Sequence, residues 1–154
     1  MYYTLSMIDK EYIRTYMAFD AHAEKIMSKL LSSTCDIDSF KIYIKQYLLA
    51  KFMLDSNTDE ENIYALSVMS IRASLADKSE ANLTSVDLRI GKYDCHHTNS
   101  AVQKKVFFMM NLEKKLGIRL NDDAASEVET VSDLVALLYP EYVRRTSDKE
   151  ASYD

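Results

Sequence analysis

The residues of this chain that are best suited to chemistry form the run Asp94-Cys95-His96-His97. Aspartate, cysteine and histidine side chains are all metal ligands, and neighbouring histidines can chelate one ion. A structural zinc site needs four ligands at workable spacing, and His22 and Cys35 are the only other histidine and cysteine in the chain. The sequence has neither a C-x-x-C nor an H-E-x-x-H pattern. We therefore predict that this run is a solvated loop with no bound metal.

The pair Cys95 and His96 also suggests a nucleophile with its base. Adjacent residues in a chain seldom point at each other, however, so this pairing is disfavoured. The sequence contains no Gly-rich phosphate loop, no Ser-His-Asp set and no paired-carboxylate pattern. We predict that the protein is not an enzyme.

The amino-acid composition of the chain favours helices as the elements that position these residues. The chain has 154 residues, of which 47% are hydrophobic, and it contains Gly 2 and Pro 1. Sheets with tight hairpins usually need more of both residue types, because glycine supplies the positive φ of hairpin turns. We predict an all-α protein, since Leu, Ala, Met, Glu and Lys are good helix formers.

The charge and the apolar runs limit the classes of partner. A net charge of −5 gives no general electrostatic footprint for nucleic acid. No apolar run approaches membrane-spanning length, and the N-terminus lacks the basic and apolar regions of a secretion signal. Two cysteines do not make a disulfide framework. We expect a cytoplasmic protein with protein partners, no nucleic acid and no membrane contact.

Apolar spacing at three and four residues predicts helices at 9–31, 38–54, 58–75, 100–117 and 130–140, with a short helix within 122–129. Residues 76–100 are predicted to be a long loop. On the helix at 100–117, the predicted buried side is Val102, Val106, Met109, Met110 and Leu116.

Local signals at the helix ends support these bounds. The predicted N-terminal caps are Asp9, Asp36 or Asp38, the Thr58–Glu61 pair and the Thr130–Asp133 pair. Gly117 suits the end of a helix. Pro140 is expected to stop or restart the last helix.

From about 58 to 143 the chain resembles the acyl carrier protein family, a small four-helix domain. Three segments carry the resemblance: LADKSEANLTSVDL at 75–88, VQKKVFFMMNLEKKLGIRLNDD at 102–123 and ETVSDLVALLY at 129–139. The resemblance implies an acyl-carrier-like four-helix bundle at 57–145. The apolar spacing places two additional N-terminal helices within 1–56, and the segment 146–154, which is poor in core-forming residues, is expected to be a flexible tail.

The family carries acyl groups on a phosphopantetheine arm, which is attached to a serine at the start of its second helix. An ungapped count places Val102 at that position, and the nearest hydroxyl is Ser100, two residues earlier. The resemblance therefore implies Ser100 as the cofactor-binding residue and 4'-phosphopantetheine as the cofactor. Ser100 followed by Gln103 is also a capping box, so a purely structural role for this serine stays open.

The charge of the same helix departs from the family. The family's second helix is usually acidic and docks on basic patches of partner enzymes. Here it carries Lys104, Lys105, Lys114 and Lys115, with Glu113 as its only acid.

The sequence leaves two functional hypotheses open. The first is an acyl-carrier-like protein that serves acyl-handling enzymes. The second is a helical interaction or regulatory module with no prosthetic group, of the adaptor or chaperone kind. The apolar N-terminal helices either pack on the C-terminal half or form a homodimer.

Overall fold

The computed structural model describes residues 2–32, 34–76 and 100–152. Over these ranges the chain is helical without a named strand, which confirms the all-α class for the part described. The helices are α1 (Tyr2–Ser32), α2 (Ile37–Lys51), α3 (Ile63–Ala76), α4 (Ser100–Leu116), α5 (Asp122–Ser126) and α6 (Val131–Ser152). The predicted loop at 76–100 lies almost entirely outside the described residues.

Three of the predicted helix-end signals are confirmed. The Asp36 carboxylate accepts from the Ser39 amide at 2.8 Å and caps α2. Thr130 and Asp133 cap α6 reciprocally: the Thr130 hydroxyl accepts from the Asp133 amide at 3.1 Å, and the Asp133 carboxylate accepts from the Thr130 amide at 3.0 Å. Gly117 follows α4 with φ of +66°, a conformation that glycine adopts without strain.

Two predicted caps are wrong. Helix α1 begins at Tyr2, so Asp9 lies inside it and cannot be its cap. Helix α3 begins at Ile63, and the Asn62 side chain accepts from the Ala65 amide at 2.9 Å. The Thr58 hydroxyl instead donates to the Asp55 carbonyl at 2.6 Å in the preceding turn. Asn62 is itself a strong cap former. The amides of the predicted box have other acceptors, since the Glu61 amide donates to the Glu60 carboxylate and the Thr58 amide donates to the Asp55 carbonyl.

Pro140 neither stops nor restarts the last helix, because α6 continues through it to Ser152. Proline removes one amide donor and crowds the preceding turn, but packing on both sides can hold the helix together. Tyr139 and Tyr142, next to Pro140, both pack against the buried ring of Phe40 on α2, with ring centroids 5.3 and 4.8 Å away. The flexible tail predicted at 146–154 stays a prediction.

The sequence left open what the two N-terminal helices pack against. In the structure, α2 packs on helices of the C-terminal half at both of its ends. One end of α2 presents Phe40 to α6, as described above. At the other end, Tyr47 and Phe52 pack against Phe108 of α4, with centroids 5.9 and 5.4 Å away. The buried residues of α1, α2, α3, α4 and α6 form one hydrophobic cluster. The division of the chain at residue 56 stays a prediction.

A pair of backbone hydrogen bonds joins the starts of α3 and α6. The Ile63 amide donates to the Glu129 carbonyl, and the Val131 amide donates to the Glu61 carbonyl, both at 2.9 Å. The buried Lys45 ammonium of α2 donates to the Glu60 carbonyl beside this junction. These bonds satisfy backbone groups that the adjacent helices leave without partners.

Candidate functional site

Ser100 is the first residue of α4, and it is exposed. Its neighbour Ala101 is fully buried, with Val68 and Ile71 of α3 packed against it. This contact holds the start of α4 against α3. Val102, at the position implied for the family's serine, is half-buried. The attachment role of Ser100 stays a prediction.

The other sequence candidates do not converge on Ser100 among the described residues. The run Asp94-Cys95-His96-His97 lies outside them, and within the described ranges no group of three or more metal-ligating side chains comes together. The Cys35 thiol lies 3.8 Å from the Tyr142 hydroxyl, where α1 and α2 meet α6. Cys35 therefore belongs to a packing junction.

Helix α4 has two apolar faces. Its inner face packs into the core through Phe108, Met109, Leu112 and Leu116. Its outer face carries Val106, Phe107 and Met110, and the last two side chains are 64% and 57% exposed. Positions 103, 106, 107, 110 and 114 share one side of a helix because they are three or four residues apart. We call Val106, Phe107 and Met110 the α4 outer face.

The prediction that Val106 and Met110 belong to the buried side of α4 is wrong. Residues 106–110 are apolar without interruption, so they surround the helix and no period distinguishes the inner from the outer side. The rings of Tyr47 and Phe52 pack on Phe108, and the buried side of the helix carries Phe108 and Met109. Phe107 and Met110 then point outward.

The lysines of α4 do not form a free basic face. The Lys104 ammonium lies 5.2 Å from the centroid of the Phe52 ring, and burial lowers the pKa of Lys104. Lys105 donates to the Val128 carbonyl, and Lys115 pairs with Glu24 of α1 at 3.0 Å. Three of the four lysines therefore hold α4 to its neighbours, and the exposed outward chemistry of this helix is mainly apolar.

Two grooves lie away from α4. One of about 290 Å³ lies where α1 meets the end of α2, and Phe19, His22, Leu49 and Leu54 are among the residues that line it. The other, of about 320 Å³, lies between α5 and α6. Neither is lined by Ser100 or by the α4 outer face, so neither forms an acyl pocket next to the predicted attachment residue.

Comparison with family models, with curated proteins and with solved structures gave no match. In the described ranges, no helix has the length and apolar character that crossing a membrane requires.

Proposed function

We propose that this chain is a non-catalytic, acyl-carrier-like docking module that binds a partner protein through the α4 outer face. The observation that carries the proposal is the exposure of Phe107 and Met110 on a helix whose opposite side already fills the core. Contiguous exposed apolar side chains on a soluble protein commonly mark a protein interaction site. Among the described residues, neither Phe107 nor Met110 belongs to the hydrophobic core cluster.

The apolar character of the α4 outer face indicates what kind of surface a partner must offer. Three of the α4 lysines are engaged within the chain, so electrostatic steering by this helix is weak. A partner that fits must offer an apolar groove able to take a phenyl ring and a thioether. Burying each of these side chains fully contributes about 1.5–3 kcal/mol relative to leaving it exposed, the scale of an interface hot spot.

The resemblance to acyl carrier proteins supports the same helix. In that family the second helix meets partner enzymes, and α4 stands at that place in the order of elements. The resemblance would assign α3, α4, α5 and α6 to the four helices of the family in chain order. This chain would keep the docking helix and replace its acidic contacts with apolar ones.

The experiment compares two variants with the same charge change. Phe107→Glu alters the α4 outer face, and Ser132→Glu alters an exposed position on α6. We expect the wild-type chain, in extract from cells that naturally make it, to elute from gel filtration at a larger size than the purified chain. Phe107→Glu should shift elution to the size of the purified chain, and Ser132→Glu should not. Equal elution of wild type and Phe107→Glu would contradict the proposal.

A second function is favoured by the exposure of Ser100 at the first residue of α4. In this function the chain is an acyl carrier, and the Ser100 hydroxyl bears 4'-phosphopantetheine. Intact mass after co-expression with a broad-specificity phosphopantetheinyl transferase tests it. A mass gain that disappears in Ser100→Ala would support loading at this serine, whereas an unchanged mass would exclude the carrier mechanism.

A further inference from the structure

The groove where α1 meets the end of α2 has an apolar lining large enough for a small organic molecule. Its volume of about 290 Å³ lies close to the lower limit of small-molecule sites, which are roughly 300–1,000 Å³. Its lining includes the half-buried Phe19 of α1, the buried Leu49 of α2 and the buried Leu54 of the turn that follows. Sites of this kind are mainly apolar, with a few polar groups that orient the ligand. We call it the α1–α2 groove.

The turn after α2 holds one wall of the α1–α2 groove in a fixed shape. The Leu54 amide donates to the Leu49 carbonyl at 2.8 Å, and the Gln46 side chain donates to the Ser56 carbonyl at 3.2 Å. Met53 has a φ of 56°, which residues other than glycine seldom adopt. Backbone strain of this kind is concentrated at functional positions, ligand sites among them. A wall that is ordered in advance also lowers the entropy that binding costs.

The polar side of the α1–α2 groove is acidic. Among the described residues that line it, Asp55 is the one acid, and none is a lysine or an arginine. One oxygen of the exposed Asp55 carboxylate accepts from the Asn57 amide at 2.8 Å. Lys51, from the last turn of α2, pairs with Asp20 of α1 at 2.9 Å, and within the described ranges no basic side chain forms an ion pair with Asp55. The second carboxylate oxygen of Asp55 is therefore open to a cationic donor.

The groove between α5 and α6 lacks this combination. Its lining includes Asp133, but that carboxylate already accepts from the Glu129 and Thr130 amides at 3.1 and 3.0 Å, as part of the α6 cap. Its apolar lining is aliphatic among the described residues, without a ring such as that of Phe19. An aromatic wall and a carboxylate with an open oxygen thus meet in the α1–α2 groove.

We propose that the α1–α2 groove binds a small organic amine with an apolar body. The body lies against Phe19, Leu49 and Leu54, where it buries apolar surface. The ammonium group donates a charge-assisted hydrogen bond to the open oxygen of Asp55. The His22 ring, which also lines the groove, can add a hydrogen bond to a polar substituent of the ligand. This site is independent of the proposed docking function, because it uses no residue of the α4 outer face.

Nuclear magnetic resonance titration of the isotope-labelled full chain tests the proposal with three probes that share a phenyl ring: phenethylamine, phenethyl alcohol and phenylpropionate. We expect phenethylamine to shift the amide signals of Leu49, Leu54 and Ser56, with a dissociation constant on the order of 1 mM for so small a ligand. The alcohol should bind about fivefold more weakly, because it cannot form the exposed ion pair with Asp55. Phenylpropionate, which Asp55 repels, should bind more weakly still.

Two variants with the same charge change separate the role of Asp55 from a general effect of charge. Asp55→Asn should weaken phenethylamine binding to the level of phenethyl alcohol, while its side-chain oxygen can still accept from the Asn57 amide. Asp59→Asn is the matched control, because Asp59 is an exposed aspartate of the same connection that does not line the groove. This control should bind phenethylamine like the wild type. Circular dichroism of each variant shows whether the helices have formed.

Three results would overturn the inference. Equal affinity for phenethylamine and phenylpropionate would show that the groove does not select a cation. Equal binding of phenethylamine by the wild type and Asp55→Asn would exclude the carboxylate as the ligand's partner. Unchanged signals at Leu49, Leu54 and Ser56, or shifts centred on Leu137 of the other groove, would exclude the α1–α2 groove as the site.

Discussion

Tyr142 is expected to be the strongest polar link between the N-terminal helix pair and α6. Its hydroxyl donates to the Leu30 carbonyl at 2.9 Å, in buried surroundings. The last four carbonyls of a helix have no partner within that helix, so this bond satisfies a group that α1 cannot. Tyr139 makes the equivalent bond to the Cys35 carbonyl at 3.0 Å, but in partly exposed surroundings.

The substitution Tyr142→Phe isolates the hydroxyl, because the ring can keep its contact with Phe40. The Leu30 carbonyl then stays buried without this donor, which costs about 1–3 kcal/mol of the free energy of unfolding. Tyr139→Phe should cost less, about 0.5 kcal/mol, because water can replace the lost donor at a partly exposed carbonyl. The difference between the two variants measures the effect of burial at this junction.

The same hydroxyl predicts a dependence of stability on alkaline pH. Burial, followed by the hydrogen bond with Cys35, raises the pKa of Tyr142 to about 12. The unfolded chain releases this proton near pH 10, whereas the folded chain keeps it. The stability that Tyr142 contributes is therefore fully present below about pH 10 and is lost as the pH rises toward about 12. Tyr142→Phe should remove this part of the decline.

Urea unfolding followed by far-ultraviolet circular dichroism, at neutral pH and in steps from pH 9 to 12, measures both effects. The reasoning would be refuted if Tyr142→Phe were as stable as the wild type, or if Tyr139→Phe lost more than Tyr142→Phe. Either result would mean that the Leu30 carbonyl has another donor.

Three further predictions concern single positions. Met53, which follows α2 at a φ of 56°, is strained, so Met53→Gly should raise the free energy of unfolding by about 0.5–1 kcal/mol in urea titrations. Gly117→Ala should lower it by about 1 kcal/mol or more, because φ is +66° and a methyl group would meet the Arg145 guanidinium. Hydrogen bonds from the Thr130 and Glu129 amides lower the pKa of Asp133. The stability that the Asp133 carboxylate contributes is therefore present above about pH 4 and is lost as the pH falls through the lowered pKa. The thermal unfolding temperature of Asp133→Asn should depend less on pH in this range than that of the wild type.

The helix ends could be predicted where the signal and its partner are close in sequence. Asp36 and Ser39, or Thr130 and Asp133, are three residues apart, and the bond between them needs no tertiary structure. The same reasoning failed at Thr58, because Asn62 offers a competing cap four residues later. Local sequence identifies several residues that could cap a helix. The residue at which the helix begins depends on which of these caps forms.

The inner and outer sides of α4 could not be predicted from the sequence. Five consecutive apolar residues, 106–110, fit any orientation of the helix. The choice depends on Tyr47 and Phe52, more than fifty residues earlier, whose rings pack on Phe108. Long-range packing of this kind leaves no periodic signal within the helix itself.

Whether the α4 lysines are solvated or bonded also depends on residues that are distant in the sequence. A lysine on a helix is most simply interpreted as solvated. Lys105 instead donates to the carbonyl of Val128, and Lys115 pairs with Glu24 near the other end of the chain. These contacts leave the helix with an outward surface that is apolar, which its composition alone did not indicate.

The most direct test of the α4 outer face as a docking surface is a scan with a photo-crosslinking amino acid in living cells. The crosslinker is placed in turn at Val106, Phe107 and Met110, and as a control at Ser132. The account predicts one shared adduct with a partner protein from the three α4 positions and none from position 132. Equal adduct yields at all four positions, or no adduct from α4, would contradict it.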